Sequence, residues 1–554
     1  MRFAVRWKRF KAVSEMSAAK KATVVLLALI VLTVSVFSAR WWKSEVQMPP
    51  KMDFSCFLSE EDVAVAMDRL AHLEKLIDGG KNLAILFEAE QVYEDWERIY
   101  HGYLMAQLAY YADMEDPSAE EHFRFAEESY TRGQAEWMRV LKKLYESELF
   151  AKKIVFQNWS AGDLAELESS DGEVGELNQA QNELLHRYFD LEWDASAWSE
   201  EVAELYLEFV SNANRIAALY GYENYYEYAS REIYLRDYDA EERKQFRQSV
   251  LRKLLPYYAR VAQSYRLALS NLSEEEAALL NVLTEDPCLP ENEYLNGYLE
   301  SYSGEMNTAM NALFDREALF CAEKESAYEI AYSEYSDYLQ QPFVFLGYGY
   351  QQILTLIHEL GHYTAYTHYL SGALPYDLGE VHSQGNEWLF LDYLEERIEN
   401  EAVYEAFLLY RLQNGLLTVV MSTVVDEFEE RVYTAAEGGA TPMLRNILSD
   451  VWEGVEAESG IRLHRSDFDA YVQQVTMESP VYYLSYAVSE IAAMSLYAEA
   501  QTNGYEAAQA IYTELCLEAD PALSCREALE AAGLPNPLLW DTMAKIGDAY
   551  DSLL

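Results

Sequence analysis

Basic side chains are scarce in this chain: 42 Lys and Arg stand against 94 Asp and Glu in 554 residues, a formal net charge of −52. So acidic a surface repels nucleic acid and anionic lipid, which excludes polyanion binding as its main role. Cysteine is rarer still, with five in all, too few for a disulfide scaffold. No spacing among them resembles a thiolate zinc site. Cys516 and Cys525 could pair outside the cell, as could Cys288 and Cys321, leaving Cys56 over. Proline (13) and glycine (24) are sparse and half the residues are hydrophobic, which excludes disorder and suits a helix-rich fold. Internal repeats and low-complexity tracts are absent, and alternating strand patterns are rare.

Helical periodicity fills the space these absences leave. From about Leu58 onward apolar residues recur at three- and four-residue spacing, as in "YLMAQLAYYADM" near Tyr103 and "LRKLLPYYARVAQSYRLAL" from Leu251. The pattern predicts a nearly all-α body. Breaks fall at "MPPKMDFS" from Met48, the acidic "SAGDLAELESSDGEVGEL" from Ser160, "TEDPCLPENEY" from Thr284, and "EGGATPM" from Glu437. In the last, Thr441 is expected to cap a helix opening at Pro442. The run "LLTVVMSTVV" from Leu416 is too short to span a bilayer and is expected to be a core helix. One segment, "QPFVFLGYGY" from Gln341, reads as extended and leads straight into a helix rich in histidine. A strand there would offer backbone groups to a peptide, with Val344, Leu346 and Gly347 as the residues expected to do so.

The first 44 residues run against the overall charge, with nine Lys/Arg and Glu15 alone among acids. Without them the balance is 42 − 9 = 33 basic against 94 − 1 = 93 acidic, a net of −60. Residues 22–39, "ATVVLLALIVLTVSVFSA", are uncharged. As a helix they would reach about 27 Å, close to the hydrocarbon thickness of a bilayer. The expected organisation is a basic cytoplasmic tail (1–21), a single-pass signal anchor (22–39), a linker (40–57), an N-terminal helical domain (58–202) and a C-terminal domain (203–554) outside the membrane. Secretion after cleavage near Ser38 is the alternative.

The chemistry concentrates in "LTLIHELGHYTAYTHYL", Leu354 to Leu370. His358 and His362 are four residues apart, so on a helix both imidazoles lie on one face and can share an ion. Glu359 sits beside the pair, placed to reach a water and act as general base, as in HExxH peptidases. His358, His362, His368 and His382 put four of the chain's nine histidines within 25 residues. Zinc needs a third protein ligand and an open position. Gly372 and Pro375 end the first helix, and "GEVHSQGNEWLFLDYLEERI" is helical again. Glu380 begins it and Glu387, seven residues on, shares its face; either could ligate while the other holds an imidazole in its ligating tautomer.

"HELGHY" followed by "EVHSQGNEW" resembles the oligoendopeptidase F and thimet oligopeptidase family of zinc peptidases. The resemblance implies Glu380 as third ligand, Ser383 as the pattern's serine, Glu387 as the carboxylate supporting an imidazole, and His382 beside them. "FVFLGYGYQQILTLIHELGH" is similar to the family's strand and active-site helix. "SPVYYLSYAVSEIAAMSLY", from Ser479, is similar to its C-terminal tyrosine segment, which implies Tyr483 and Tyr486, with Tyr482 near, as hydrogen-bond donors to the tetrahedral intermediate. "NRIAALYGYENYYEYASREIYLRDYDAEE", from Asn214, also resembles family sequence. Two departures stand out: no histidine occurs in "YVQQVTMESP" before the tyrosines, and the gap between the metal motifs is short. The implied protein is a two-lobed helical zinc endopeptidase, one Zn2+ per chain, that takes short oligopeptides into a deep channel. The alternatives are a helical zinc carboxypeptidase and a peptide-binding protein that keeps the metal site.

Overall fold

A computed structural model describes residues 51–156, 167, 173–189, 191, 198–288, 292–369, 374–439, 442–463 and 465–551. The tail, the apolar segment 22–39, the linker before Lys51 and Thr441 lie outside the described residues. From Lys51 onward the chain clusters as one unit, and its secondary structure is helical apart from one three-stranded sheet.

Ser59 opens α1 (Glu60–Asp78) through a reciprocal capping box with Asp62, satisfying two otherwise unpaired backbone donors. Helix α2 (Asn82–Ala112) comes next, then α3 (Pro117–Glu146), whose start is marked by an Asp116 cap and a proline that needs no N–H there. Leu73, Ile85 and Leu144 are fully buried between these helices. Each such side chain contributes roughly 1.5–3 kcal/mol. Leu104, Met105 and Leu108, further along α2, join the main core together with residues such as Leu356 and Leu389. Segment 58–202, expected as a domain of its own, therefore shares a core with the C-terminal part of the chain.

Strands β1 (Leu319–Cys321), β2 (Ala331–Ser336) and β3 (Gln341–Leu346) form a sheet in the order β1-β3-β2. The extended segment predicted from Gln341 is thus a strand, but an inner one. It pairs parallel with β1 (Leu319 opposite Val344) and antiparallel with β2 (Ala331 opposite Leu346). The expectation that Val344, Leu346 and Gly347 meet substrate is corrected by this topology. The Val344 N–H donates to the Ala318 carbonyl, the Leu346 carbonyl accepts from Ala322, and the Gly347 N–H donates to Ile330. A Cβ on Gly347 would come within 2.4 Å of the Tyr328 carbonyl, so this glycine serves a close backbone approach. Both β1 and β2 have a partner on one side only, and of the two it is β2 that borders the cavity holding the histidines.

Four further helices build the centre: α4 (Ile353–Tyr366), α5 (Tyr376–Glu395), α6 (Glu401–Ala435) and α7 (Leu484–Asn503), with α8 (Tyr505–Leu517) packed behind. The run from Leu416 lies inside α6. Among the described residues α6 alone is long and apolar enough to cross a membrane, and 72% of its apolar window is buried within the protein. Helix α5 is buried on nearly every side although its sequence is polar. Its polar side chains tie it to its neighbours: Asn386 donates to the Ile357 carbonyl at 2.7 Å and accepts from Tyr298 at 2.6 Å, and Gln384 accepts from Ser489 at 2.6 Å. Buried polar groups persist because they are paired. The helix after Glu437 opens at Leu444, two residues later than Pro442.

Candidate metal centre

Helices α4 and α5 lie against each other so that His358 and His362 of the first face Glu380 of the second. The Glu380 Oε2 is 3.7 Å from His358 Nε2 and 3.4 Å from His362 Nε2. Tetrahedral donors about 2.1 Å from a shared zinc lie about 3.4 Å apart, so this set fits the ion. Among the described residues it is the one such group. Two imidazoles and one carboxylate are also the donor set of catalytic rather than structural zinc. Glu380 falls in the second turn of α5, which begins at Tyr376 and not at Glu380 itself.

The close approach of the two helices rests on Gly361. A Cβ there would meet the His382 carbonyl oxygen at 2.2 Å and the Ser383 Cα at 2.8 Å, both backbone atoms that cannot turn aside. Gly361→Ala is expected to push α4 off α5, lowering zinc affinity at least tenfold and melting temperature by several degrees, since overpacking costs about 1–3 kcal/mol. Zinc titration with a competing chelator, beside thermal melting, checks it; wild-type values for both would refute it.

His358 Nδ1 bonds Glu387 Oε1 at 2.7 Å, which leaves Nε2 toward Glu380. Burial opposes charge on His358, but the Glu387 hydrogen bond and the neighbouring carboxylates raise its pKa to about 9. Burial likewise opposes charge on Glu380, yet the two imidazoles and a Tyr482 hydrogen bond bring it down to about 2. Glu387 is gripped from its other side by Arg411 Nε at 2.8 Å. The same guanidinium reaches both oxygens of Glu490, at 2.8 and 3.0 Å, and stacks 4.6 Å over Trp388, whose Nε1 also donates to Glu490. Despite burial, Arg411 and His358 hold the Glu387 carboxyl below the usual range. Arg411 and Glu490 carry no signal in the sequence: each looks like one more charge on a helix.

Glu359 is buried, and its Oε2 accepts from Ser333 Oγ at 2.7 Å; the same hydroxyl bonds the Glu359 carbonyl. Ser333 lies on β2, and Ala331, Tyr332 and Ser333 line a cavity with His358, Glu359 and Glu380. A second recess of about 900 Å³ adjoins it, lined in part by His358, Glu359, Tyr350, Glu387, Tyr471 and Tyr483.

The three tyrosines take different places around the site. Tyr482 donates to Glu380 Oε1 and Tyr486 lines both recesses. Tyr483, the next residue in the turn, lies between Tyr486 and Tyr471, ring centroids 5.3 and 5.8 Å away, and lines the second recess together with His358 and Glu359. Burial raises the pKa of Tyr482 and Tyr486 far above the ordinary phenol value, so both keep their O–H. His382 is two residues from Glu380, about 200° around the helix. Its Nε2 therefore donates to the Leu515 carbonyl of α8 at 3.0 Å and does not support a ligand imidazole. His368 bonds Glu305 at 3.1 Å, away from the ligands. Ser383 Oγ donates to Glu380 Oε2 at 2.9 Å.

The fold and the paired-histidine helix define the class: a helical body around a HExxH centre. No family model matches the chain. A stretch of 206 residues is 27% identical to oligopeptidase PepF of Bacillus subtilis (strain 168), covering 35% of this chain and 28% of that protein. The match thus spans little more than a quarter of its curated relative. Among solved structures, PZ peptidase A superposes with a TM-score of 0.66 at 18% identity over 90% of this chain and 99% of that one. The oligoendopeptidase-F from Enterococcus faecium gives 0.56 at 15% identity over 89% and 98%. At such identities the structural likeness is one of fold. The chain resembles the oligoendopeptidase F family in that fold and, over the PepF stretch, in sequence.

Proposed function

We propose that this protein is a zinc-dependent endopeptidase of short peptides. The observation that carries the reading is one cluster: His358, His362 and Glu380 with donor atoms at zinc-ligand spacing, and Glu359 beside them facing a cavity bordered by a free strand edge. Held by those three side chains, zinc would supply Lewis acidity that acidifies a water and polarises a carbonyl. Glu359 takes the attacking water's proton and passes it to the leaving amine. Ser333 holds the Glu359 carboxylate in place for this. The Tyr486 hydroxyl donates to charge that develops on the carbonyl oxygen, while Tyr482 keeps its O–H on Glu380. Backbone groups of Ala331 and Ser333 pair with an extended peptide, a role closed to β3 because both its edges are occupied. The likeness to PepF and to the oligoendopeptidase fold supports peptide substrates.

Metal analysis of purified protein together with digestion of a peptide library tests the reading. One zinc per chain and cuts at internal bonds are expected. Stepwise loss of C-terminal residues would replace it with a carboxypeptidase, and an inert zinc-loaded protein with a peptide-binding one.

A further inference from the structure

The segment that delivers Tyr482 and Tyr486 is held in a conformation its sequence does not favour. Val481, directly before Tyr482, has φ +64°. A β-branched residue is a poor occupant of the left-handed region, so something else must impose the turn. The structure supplies it through three side chains, one on α6 and two on the segment Tyr234–Arg236. Glu429 of α6 accepts from the Val481 N–H at 2.7 Å. Tyr234 donates to the Pro480 carbonyl at 2.6 Å. Arg236 Nη2 donates at 3.0 Å to the Tyr482 carbonyl and at 3.0 Å to Ser485 Oγ. The backbone groups on both sides of the unfavourable residue are thereby taken by buried side chains. Arg236 also lies 3.6 Å from Asp377, at the start of the helix that carries Glu380, and Asp377 accepts from Tyr238 at 2.9 Å. The tyrosine turn and the ligand helix therefore share one anchor.

Glu429 is an odd choice for a core position. It is fully buried, and burial raises its carboxyl pKa well above the ordinary value. An apolar residue would pack there without that penalty but would leave the Val481 N–H unpaired.

We propose that Glu429, Tyr234 and Arg236 are positioning residues: they hold Pro480–Tyr482 in the left-handed turn from which Tyr482 meets Glu380 and Tyr486 faces the cavity. The inference rests on the peptidase reading for its kinetic arm only. In the full-length protein, Glu429→Leu is expected to lower kcat at least tenfold with KM within about twofold and zinc content unchanged, because the Tyr486 donor matters in the transition state. Glu429→Gln keeps an oxygen that accepts from Val481 and is expected to retain most of the activity. Tyr234→Phe keeps the ring and removes one anchor, so a loss of about threefold in kcat is expected. It serves as the informative variant if Glu429→Leu does not fold.

Amide hydrogen exchange over residues 479–485 gives an arm independent of activity. Exchange is expected to quicken at least tenfold in Glu429→Leu and to stay at the wild-type rate in Glu429→Gln. If Glu429→Leu lowers thermal stability but leaves kcat and exchange in this segment untouched, the residue is core filling and the proposal fails. It fails equally if Glu429→Gln falls as far as Glu429→Leu. A wild-type protein that cleaves no peptide overturns the peptidase reading, while the exchange measurement still decides the turn.

Discussion

Glu359→Gln is expected to reduce peptide hydrolysis about a thousandfold and leave zinc binding intact. The amide has nearly the shape of the carboxylate and its oxygen can still accept from Ser333 Oγ, so the cavity should keep its geometry. What the amide cannot do is take a proton from water at neutral pH, and a positioned general base contributes roughly 10²–10⁴ in rate. The loss should fall on kcat more than on KM, since the missing interaction belongs to the transition state. Turnover of a cleaved library peptide, measured beside zinc content, is the check. A variant with more than a tenth of wild-type kcat would remove Glu359 from the role of base.

The largest effect on stability is expected from Arg411→Met. One guanidinium compensates two carboxylates, Glu387 and Glu490, all three nearly excluded from solvent. Methionine fills a similar volume but leaves both acids without their cation. Breaking a buried ion pair in this way costs about 3–5 kcal/mol, whereas an exposed pair seldom contributes more than about 1 kcal/mol. A fall of several degrees in melting temperature is expected, with zinc affinity lower by about tenfold because Glu387 no longer orients His358. Adding Glu490→Gln to Arg411→Met should recover part of the stability by removing one stranded charge. A melting point within a degree of wild type for Arg411→Met would show that the three groups are not energetically linked.

Both predictions concern side chains that line the same recess, yet they differ in how visible they are from sequence. Glu359 stands out because its neighbours His358 and His362 are four residues apart on one helix, and helical geometry alone places them together. Local geometry narrows the third ligand to Glu380 or Glu387, and the resemblance to the oligoendopeptidase F family is what singles out Glu380. The inner strand before the histidine helix is legible too, from its run of aromatics and Val. Arg411 is different: its partners are 24 and 79 residues away, counted from positions 387, 411 and 490. No local pattern separates it from a solvated charge.

The correction to the strand and the placing of the tyrosines have the same origin. An extended segment looks alike whether it lies inside a sheet or at its rim, so the sequence could not say that β3 is covered on both sides and that β2 offers the edge. Adjacent tyrosines look equivalent until a backbone turn is specified. The left-handed residue at Val481 sends Tyr482 to Glu380 and Tyr483 to Tyr471, and that turn is imposed by Glu429, Tyr234 and Arg236 from distant parts of the chain.

By itself, then, the sequence determined the helical character of this protein, the helix that pairs its two histidines, and the pair of carboxylates on the returning helix, because each depends on spacings within a few turns of chain. Only the tertiary structure decided which strand edge faces the site, which tyrosines enter it, and which buried charges hold it rigid. Those depend on partners far apart in sequence, whose pairing is set by packing and by the need to satisfy every polar group taken out of water.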